Sequence, residues 1–380
     1  MFASHPGRAL ALGLFGFPAL LSAQDLAQQK REVVRHHAAW SHQLYGQVRQ
    51  RAAAMHERIV ELTEQPSAAN LAAARKAWLH ARELYGMTEA LRFHDGPIET
   101  REPLLNAWPI DEAYVDYVEG RRDCGIVNDK ERFPTLAAPL LVLANERGGE
   151  ANICVGWHAI EFLLWGQDLS ADGPGARPFT DYVVGKAANA ARRGQYLRAV
   201  SALLVQHLSE LQREWAPGAK YRVRFEKEVE ASVRRILVGV TVLTAFELGG
   251  ERMVVAYETQ DQEQEHSCFS DNTWQDFVSN QLGLMAVVLG SEVGGSKGPG
   301  LIELVRDQPD VADALEAALR RTEKALRAIP KPFDQAFLGP DGGPGRKAML
   351  RAIESLEQQT EVLLIVGKQL GHDLPVEPGE

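Results

Sequence analysis

The spacing of its apolar residues constrains the fold of this chain more than any other feature. In residues 25–64, apolar side chains stand three, four or seven positions apart, and the same spacing returns from about residue 180 and near the carboxyl end. Side chains at these intervals share one face of an α-helix. Short alternating segments joined by hairpin turns do not occur. The sequence therefore predicts an all-α protein.

One segment has the composition of a strand. Residues 235–243, RILVGVTVL, are rich in β-branched side chains, which favour extended backbone. The segment lies inside a longer helical pattern without turn residues, and such a context outweighs intrinsic propensity. We therefore predict a helix there.

Proline and glycine divide the chain into two halves. Residues 24–167 are predicted to form an amino-terminal helical bundle, residues 168–178 a linker and residues 179–380 a second bundle, both up-and-down. The first half has helices ending near residues 64 and 93, a third carrying LLNAWPIDEAYVDYVEG, and a last one containing GWHAIEFLLWG. The second half has predicted helices at 179–215, 218–258, about 272–292 and 300–329, and one after the loop 338–345.

The two halves share short patterns that indicate an internal duplication. Glutamate and arginine cluster near the end of the second helix of each half, at 88–93 and 246–253. A loop and an Asn-x-Trp pattern follow each cluster, with an acidic residue shortly after it. The matching elements are Asn106–Trp108 with Asn272–Trp274, and Asp111 with Asp276.

The amino terminus has the pattern of a secretory signal. Arg8 precedes an apolar run from Ala9 to Leu21, and small residues end the run near Ala23. The run is shorter than the about 20 residues that a membrane-spanning helix needs. Residues 1–23 are therefore predicted to be a signal peptide. We expect an exported, periplasmic protein without a transmembrane segment, and association with the outer membrane stays open.

Charge and cysteine content add two constraints. The net charge of −10 argues against a nucleic-acid partner, because such proteins need a basic face. Three cysteines allow at most one disulfide. Cys124 with Cys154 is the preferred pair, since both lie in the same half, and Cys268 would then remain a free thiol.

His158 and Glu161 stand three residues apart within the apolar run GWHAIEFLLWG. At this spacing both side chains lie on one helix face. A buried carboxylate without a partner costs several kcal/mol or becomes neutral, so this pair needs compensation. A metal ion could bind both groups, Arg92 or Arg252 could pair with the glutamate, or the histidine could simply hold it.

A metal site would need further ligands from facing helices. One imidazole with carboxylates suits iron, zinc or manganese. The segment 261–271 has a simpler interpretation as a solvated acidic loop, although Cys268 and Phe269 interrupt its charges. The acidic and histidine candidates are Glu89, Asp111, Glu112, Glu247, Glu251, Asp261, Glu263, Glu265, His266 and Asp271.

The segment GWHAIEFLLWGQD resembles the Gly-x-His-x-x-Glu signature of the imelysin family. Other segments similar to family members are EALRFHDGPIE, LNAWPIDEAYVDYV, NDKERFP, FTDYV and FELGGERMVVAYETQDQEQEHSCFSDNTWQDF. The resemblance implies two helical bundles, export, and a signature near a crevice between the bundles. The family includes an insulin-cleaving outer-membrane metalloprotease and iron-regulated proteins, and the signature looks like a metal-ligand pair in iron-uptake members.

Taken together, the resemblance and the duplication predict a metal site at this crevice. Its ligands are expected among His158, Glu161, Glu89, Asp111, Glu247 and Glu251. The lining is expected to include Arg92, Trp108, Arg252, His266 and Asp271.

Three functions remain open at this point. The favoured one is an exported metal-binding protein that serves iron acquisition or handling, with a divalent or ferric ion, iron first and zinc second. Its partners would be the metal and other iron-uptake or electron-transfer proteins of the envelope. The alternative is a metallopeptidase, which would need a general base beside a metal-bound water. The third is a structural or interaction module without metal.

Overall fold

The computed structural model describes residues 23–170, 173–290 and 295–378. The predicted signal peptide lies outside the described residues, except for Ala23, which begins the first helix. Among the described residues no β-strand forms, and only two isolated bridges occur, Val118 with Arg121 and Val184 with Ala187. The all-α prediction is confirmed.

Fourteen α-helices are found in the described part of the chain. Those of the first half are α1 (Ala23–Glu64), α2 (Ala68–Tyr85), α3 (Glu102–Leu105), α4 (Glu112–Val115), α5 (Ala138–Ala144) and α6 (Gly156–Trp165). Those of the second half are α7 (Ala190–Glu214), α8 (Lys220–Lys227), α9 (Val229–Val242), α10 (Val255–Thr259), α11 (Thr273–Leu289), α12 (Pro309–Arg327), α13 (Phe333–Phe337) and α14 (Pro344–Gln369).

Shorter helical turns complete the secondary structure. A π-helix, Leu243–Val254, joins α9 to α10 without a break. The 3₁₀ turns are Gly86–Leu91, Phe179–Tyr182, Gln262–Gln264, Cys268–Ser270 and Leu301–Val305. The strand-like segment 235–243 is helical as predicted, because it lies in α9 and the start of the π-helix.

The break between α1 and α2 follows from local chemistry. Pro66 cannot donate a backbone hydrogen bond, and the residue before a proline disfavours helical backbone. Ser67 then caps α2, because its hydroxyl accepts a hydrogen bond from the Asn70 amide at 3.1 Å. α1 buries a continuous stripe that includes Trp40, Leu44 and Val48.

The helices pack in two groups. In the first group, α1 packs against α2 and α7, and α6 packs against α2 and α7. In the second, α14 packs against α9, the π-helix and α12, and α11 packs against α12. α7 follows the predicted linker 168–178, yet its main partner is α1. The packing therefore differs from the predicted division, because the apolar face of α7 covers α1. The separation into two domains stays a prediction.

The two groups meet where α11 packs on the turn Gly86–Leu91. At Gly283 a β-carbon would lie 2.3 Å from the Met87 carbonyl oxygen, so only glycine permits this approach. This contact places the turn that carries Glu89 beside the second group.

The prediction of a third long helix in the first half is wrong. Residues 104–120 form only the end of α3 and the four-residue α4, separated by irregular backbone around Pro109. Pro109 ends the first turn, since it lacks an amide hydrogen. Asp111 starts the second, because its side chain accepts a hydrogen bond from the Ala113 amide at 3.0 Å.

The predicted linker is non-helical where it is described, but its end is held in place. The Arg177 guanidinium is buried and pairs with Asp116 at 2.7 Å and Asp181 at 3.2 Å. No helix in the described ranges is long and apolar enough to cross a membrane.

The predicted Cys124–Cys154 disulfide is wrong, and all three cysteines are free thiols. The thiols of Cys124 and Cys154 point to different carbonyls: Cys154 donates to Leu141 at 3.3 Å, and Cys124 donates to Asp116 at 3.4 Å. Burial raises the pKa of Cys154 to about 12, so this thiol is unreactive at neutral pH.

Candidate functional site

The signature helix α6 is buried along its whole length and begins at a glycine. Gly156 has φ +86°, and a β-carbon there would lie 2.5 Å from the Leu105 carbonyl oxygen. Only glycine satisfies both the backbone conformation and the close contact. The first residue of the signature therefore seats α6 against α3.

Glu161 is fixed through both of its carboxylate oxygens. Oε2 lies 2.9 Å from His158 Nδ1, and Oε1 accepts hydrogen bonds from the Ser270 amide at 3.0 Å and the Ser270 hydroxyl at 2.6 Å. Both signature side chains are fully enclosed. Burial raises the pKa of Glu161 to about 8 against the opposing effect of the Ser270 hydrogen bond.

His158 has one engaged and one free ring nitrogen. Its Nε2 is buried and has no hydrogen-bond partner. Burial lowers the pKa of His158 well below 6.5, and Arg82 and His266 lower it further. The imidazole is therefore neutral. When Glu161 is ionised and accepts the Nδ1 proton, Nε2 keeps a lone pair.

A second histidine lies directly against His158. The His266 ring meets the His158 ring edge-on, with 4.9 Å between centroids, and its other side contacts Trp108 at 5.8 Å. His266 Nδ1 lies 3.2 Å from Asp276 Oδ2 and 3.4 Å from an Arg82 guanidinium nitrogen, so Nε2 is the ring nitrogen outside these contacts. Burial lowers its pKa as well, and Arg252 adds to this effect.

Arg82 and Asp276 brace this pair of histidines, and neither residue was predicted to belong to the site. Arg82 pairs with Asp276 at 3.1 Å and donates a second hydrogen bond to Asn106. Asp276 also accepts from the Ser267 hydroxyl at 2.6 Å. The only sequence signal was the placement of Asp276 after Asn272–Trp274, where Asp111 follows Asn106–Trp108.

Two glutamates and two arginines from the two halves form an ion-pair network. Glu89 accepts from Arg92 at 2.8 Å and from Arg252 at 2.6 Å, and Glu247 accepts from Arg252 at 2.5 Å and from Arg92 at 3.3 Å. Although burial opposes the shift, Arg92 and Arg252 lower the pKa of Glu89 to about 2. The turn Gly86–Leu91 and the π-helix therefore meet through these four side chains.

The π-helix explains how one element supplies two members of this network. Its hydrogen bonds join residues five apart rather than four, so side chains at this interval lie near one another. Glu247 and Arg252 are five apart, and their side chains touch.

The network lines a crevice of about 640 Å³. Trp108 and His266 form part of its wall, and His158 lies behind His266. Five glutamates and two arginines line it: Glu102, Glu146, Glu150, Glu247, Glu251, Arg92 and Arg252. The excess of carboxylates makes the crevice attractive to cations.

Several predicted residues lie elsewhere. Asp111 is exposed and caps α4, and it is not among the residues that line the crevice. Glu251 lines the crevice but is exposed at its surface. Asp271 faces Glu265 and Asp334 rather than the crevice. Asp261 and Glu263 are exposed, but residues 265–270 are buried, so the solvated-loop interpretation of 261–271 is wrong for most of that segment.

The predicted ligand set stays a prediction, and the geometry shows what each of its members contacts. Glu161 contacts His158 through one carboxylate oxygen and Ser270 through the other. Glu89 and Glu247 are occupied by arginines. Within the described ranges, one group of three acidic side chains has ligand atoms close enough together to hold an ion. The group consists of Glu265, Asp271 and Asp334, and it does not include His158.

Comparisons with known proteins agree with this architecture. The model of the family described as Imelysin matches residues 41–363. The chain is 25% identical over 302 residues to iron-regulated protein A of Synechococcus elongatus, covering 77% of this chain and 75% of that protein.

Two crystal structures share the fold. One, described as an iron-regulated protein A precursor from Parabacteroides distasonis, superposes with a TM-score of 0.70 at 17% identity, covering 90% of this chain and 95% of that one. The other, an imelysin-like protein from Psychrobacter arcticum, gives a TM-score of 0.66 at 15% identity, covering 92% and 98%.

Proposed function

This chain belongs to the imelysin family, and from that premise we propose that it is an exported protein that binds iron as cargo in the crevice. The observation that carries the proposal is the buried Nε2 of His158, which has no partner while Nδ1 is held by Glu161. Histidines that bind metals commonly donate their other ring hydrogen to a carboxylate, which fixes the tautomer and raises the basicity of the ligand nitrogen.

His266 would supply the second nitrogen. It lines the crevice and lies against His158, so an ion that enters from the crevice reaches His266 first. The two imidazoles leave coordination positions for water or for oxygen ligands that arrive with the metal. Imidazole nitrogen is a suitable ligand for iron and for zinc.

Iron is the proposed cargo because two of the similar proteins carry iron in their names. The Synechococcus and Parabacteroides proteins are both described as iron-regulated. Regulation by iron fits a protein that acquires or stores the ion. Export to the periplasm, with iron-uptake or electron-transfer partners in the envelope, follows from the signal-like amino terminus and from the Parabacteroides protein being described as a precursor.

The metallopeptidase alternative finds less support at this site. A general base must reach a metal-bound water, and Glu161 uses one oxygen for His158 and the other for Ser270. A histidine held by a buried carboxylate is suited to binding an ion. We therefore place cargo binding ahead of peptide hydrolysis.

Metal analysis of the mature protein tests the proposal. After loading with ferrous or ferric iron and removal of excess, we expect about one bound iron per chain at the crevice. His158→Ala removes the free nitrogen, so its iron affinity should fall at least about 10-fold. His80→Ala is the control, because His80 is an exposed histidine remote from the signature, and it should bind like the parent.

Two results would contradict the proposal. Failure of the parent to bind iron, zinc, manganese or copper at micromolar concentration would make His158 and Glu161 a structural brace. Chelator-sensitive cleavage of an unfolded peptide by the parent, lost in His158→Ala, would favour the peptidase.

A further inference from the structure

A group of carboxylates lies outside the set of residues that line the crevice. Glu265, Asp271 and Asp334 each offer an oxygen, and these oxygens all lie within 4.8 Å of one another. Asp334 comes from α13, which is held against α11 by the contact between Phe333 and Phe277, with ring centroids 4.8 Å apart. The group therefore joins two separate segments of the second half.

Glu265 distinguishes this group from an ordinary acidic surface. Its side chain is completely enclosed, and neither carboxylate oxygen has a hydrogen-bond partner. The Thr273 hydroxyl lies nearby but outside hydrogen-bond geometry, and it accepts from the Ser267 amide. Asp271 Oδ1 is also buried without a partner. Buried carboxylates are normally paired or coordinate metals.

Neighbouring negative charge raises the cost of burying Glu265 and Asp271 as carboxylates. Asp168 contributes a further negative charge beside Asp271. Within the described residues, no lysine or arginine forms an ion pair with Glu265 or Asp271. Burial raises the pKa of Glu265 well above 4.5 and that of Asp271 to about 7, with the neighbouring aspartates adding to both shifts.

We propose that Glu265, Asp271 and Asp334 bind a hard divalent cation of the class that prefers oxygen ligands, with Ca²⁺ as the best fit. Ca²⁺ takes carboxylate oxygens at about 2.3–2.6 Å, so two ligands on opposite sides lie up to about 5 Å apart. The spacing of the three side chains is compatible with this size. Soft metals are disfavoured, because the group offers neither imidazole nor thiolate.

The cation would fasten the loop that completes the signature site. Between Glu265 and Asp271 lie His266, which contacts His158, and Ser270, which holds Glu161. A cation bound by Glu265 and Asp271 would therefore fix both ends of the segment that carries His266 and Ser270. The site is distinct from the proposed iron site, because the two sites share no ligand residue.

Thermal unfolding and calorimetry of the full mature chain, purified with a chelator, test the inference. Titration with CaCl2 should raise the Tm of the parent with increasing concentration, since a ligand of the folded state stabilises it. Glu265→Gln should remove this increase while unfolding at the same or a higher temperature without Ca²⁺, because it deletes an uncompensated buried charge. Asp271→Asn should weaken Ca²⁺ binding at least about 10-fold.

Glu263→Gln is the matched control, because it makes the same change at an exposed position two residues away. It should retain the parent's response. Parallel titrations with MgCl2 and MnCl2 rank the ions within the class. The inference is wrong if the folded parent binds none of the three ions at millimolar concentration, if Glu265→Gln keeps its affinity, or if Glu263→Gln loses it equally.

Discussion

At the scale of single residues, Glu161 determines which nitrogen of His158 can act. Two donors from Ser270 occupy Oε1, so Oε2 must face the histidine. An ionised Glu161 accepts the Nδ1 proton and leaves Nε2 as a ligand. A protonated Glu161 donates to Nδ1 and forces the ring hydrogen onto Nε2. Metal binding and the charge of Glu161 are therefore linked.

This linkage predicts the effect of Glu161→Gln on iron binding. The glutamine carbonyl must face the Ser270 donors, so its amide group faces His158 Nδ1 and places the ring hydrogen on Nε2. We expect iron affinity to fall at least about 10-fold, measured by calorimetry at neutral pH. Ser270→Ala keeps the backbone donor and should lose less. Unchanged affinity in Glu161→Gln would contradict this account.

The raised pKa of Glu161 also predicts how stability depends on pH. The folded pKa of about 8 exceeds the ordinary value of 4.5, so the folded state binds the extra proton. The resulting stability is fully present below pH 4.5 and is lost as pH rises through 8, by an amount on the order of a few kcal/mol. In chelator, the Tm of the parent should fall between pH 6 and 9 more steeply than that of Glu161→Gln. Parallel curves would contradict the assignment.

At the scale of elements, the start of α6 combines two separate demands on Gly156. Gly156→Ala brings both the cost of positive φ and a contact at 2.5 Å with the Leu105 carbonyl oxygen. We expect a loss of about 2 kcal/mol or more in the free energy of unfolding, measured by urea denaturation. Gly120→Ala is the control, because Gly120 has φ +75° and open space around it. Equal losses in the two variants would show that the contact is unimportant.

The helices also show which parts of the fold could be predicted from the sequence. The helices α1, α7 and α14 follow from apolar spacing, because they bury a long continuous face. The helix predicted at 104–120 does not form, because Pro109 and the Asp111 cap interrupt it. Ser270 could not be identified as the partner of Glu161, because the two are 109 residues apart and only tertiary packing joins them. Likewise, nothing local in the sequence joins Asp334 to Glu265.

At the scale of the whole molecule, the contact between the helix groups depends on one glycine. Gly283→Ala would place a methyl group 2.3 Å from the Met87 carbonyl oxygen, so the groups must move apart. We expect a lower Tm and weaker iron binding, since the turn that carries Met87 also carries Glu89, whose partners Arg92 and Arg252 line the crevice. Gly194→Ala is the control within α7, where the nearest atoms are at 3.4 Å, and it should be neutral or stabilising. Equal effects would show that the interface tolerates movement.

The packing of α7 on α1 has a consequence for how the chain can be divided and how it acquires its fold. A polypeptide that stops at residue 178 leaves the apolar stripe of α1 uncovered on the side that α7 occupies. As the chain emerges, the first group therefore stays incomplete until residue 214 is available. A recombinant fragment comprising residues 23–178 should aggregate, whereas one comprising residues 23–217 should remain soluble for longer. Sedimentation of the two fragments after expression measures this difference. Equal solubility would show that the first group does not need α7.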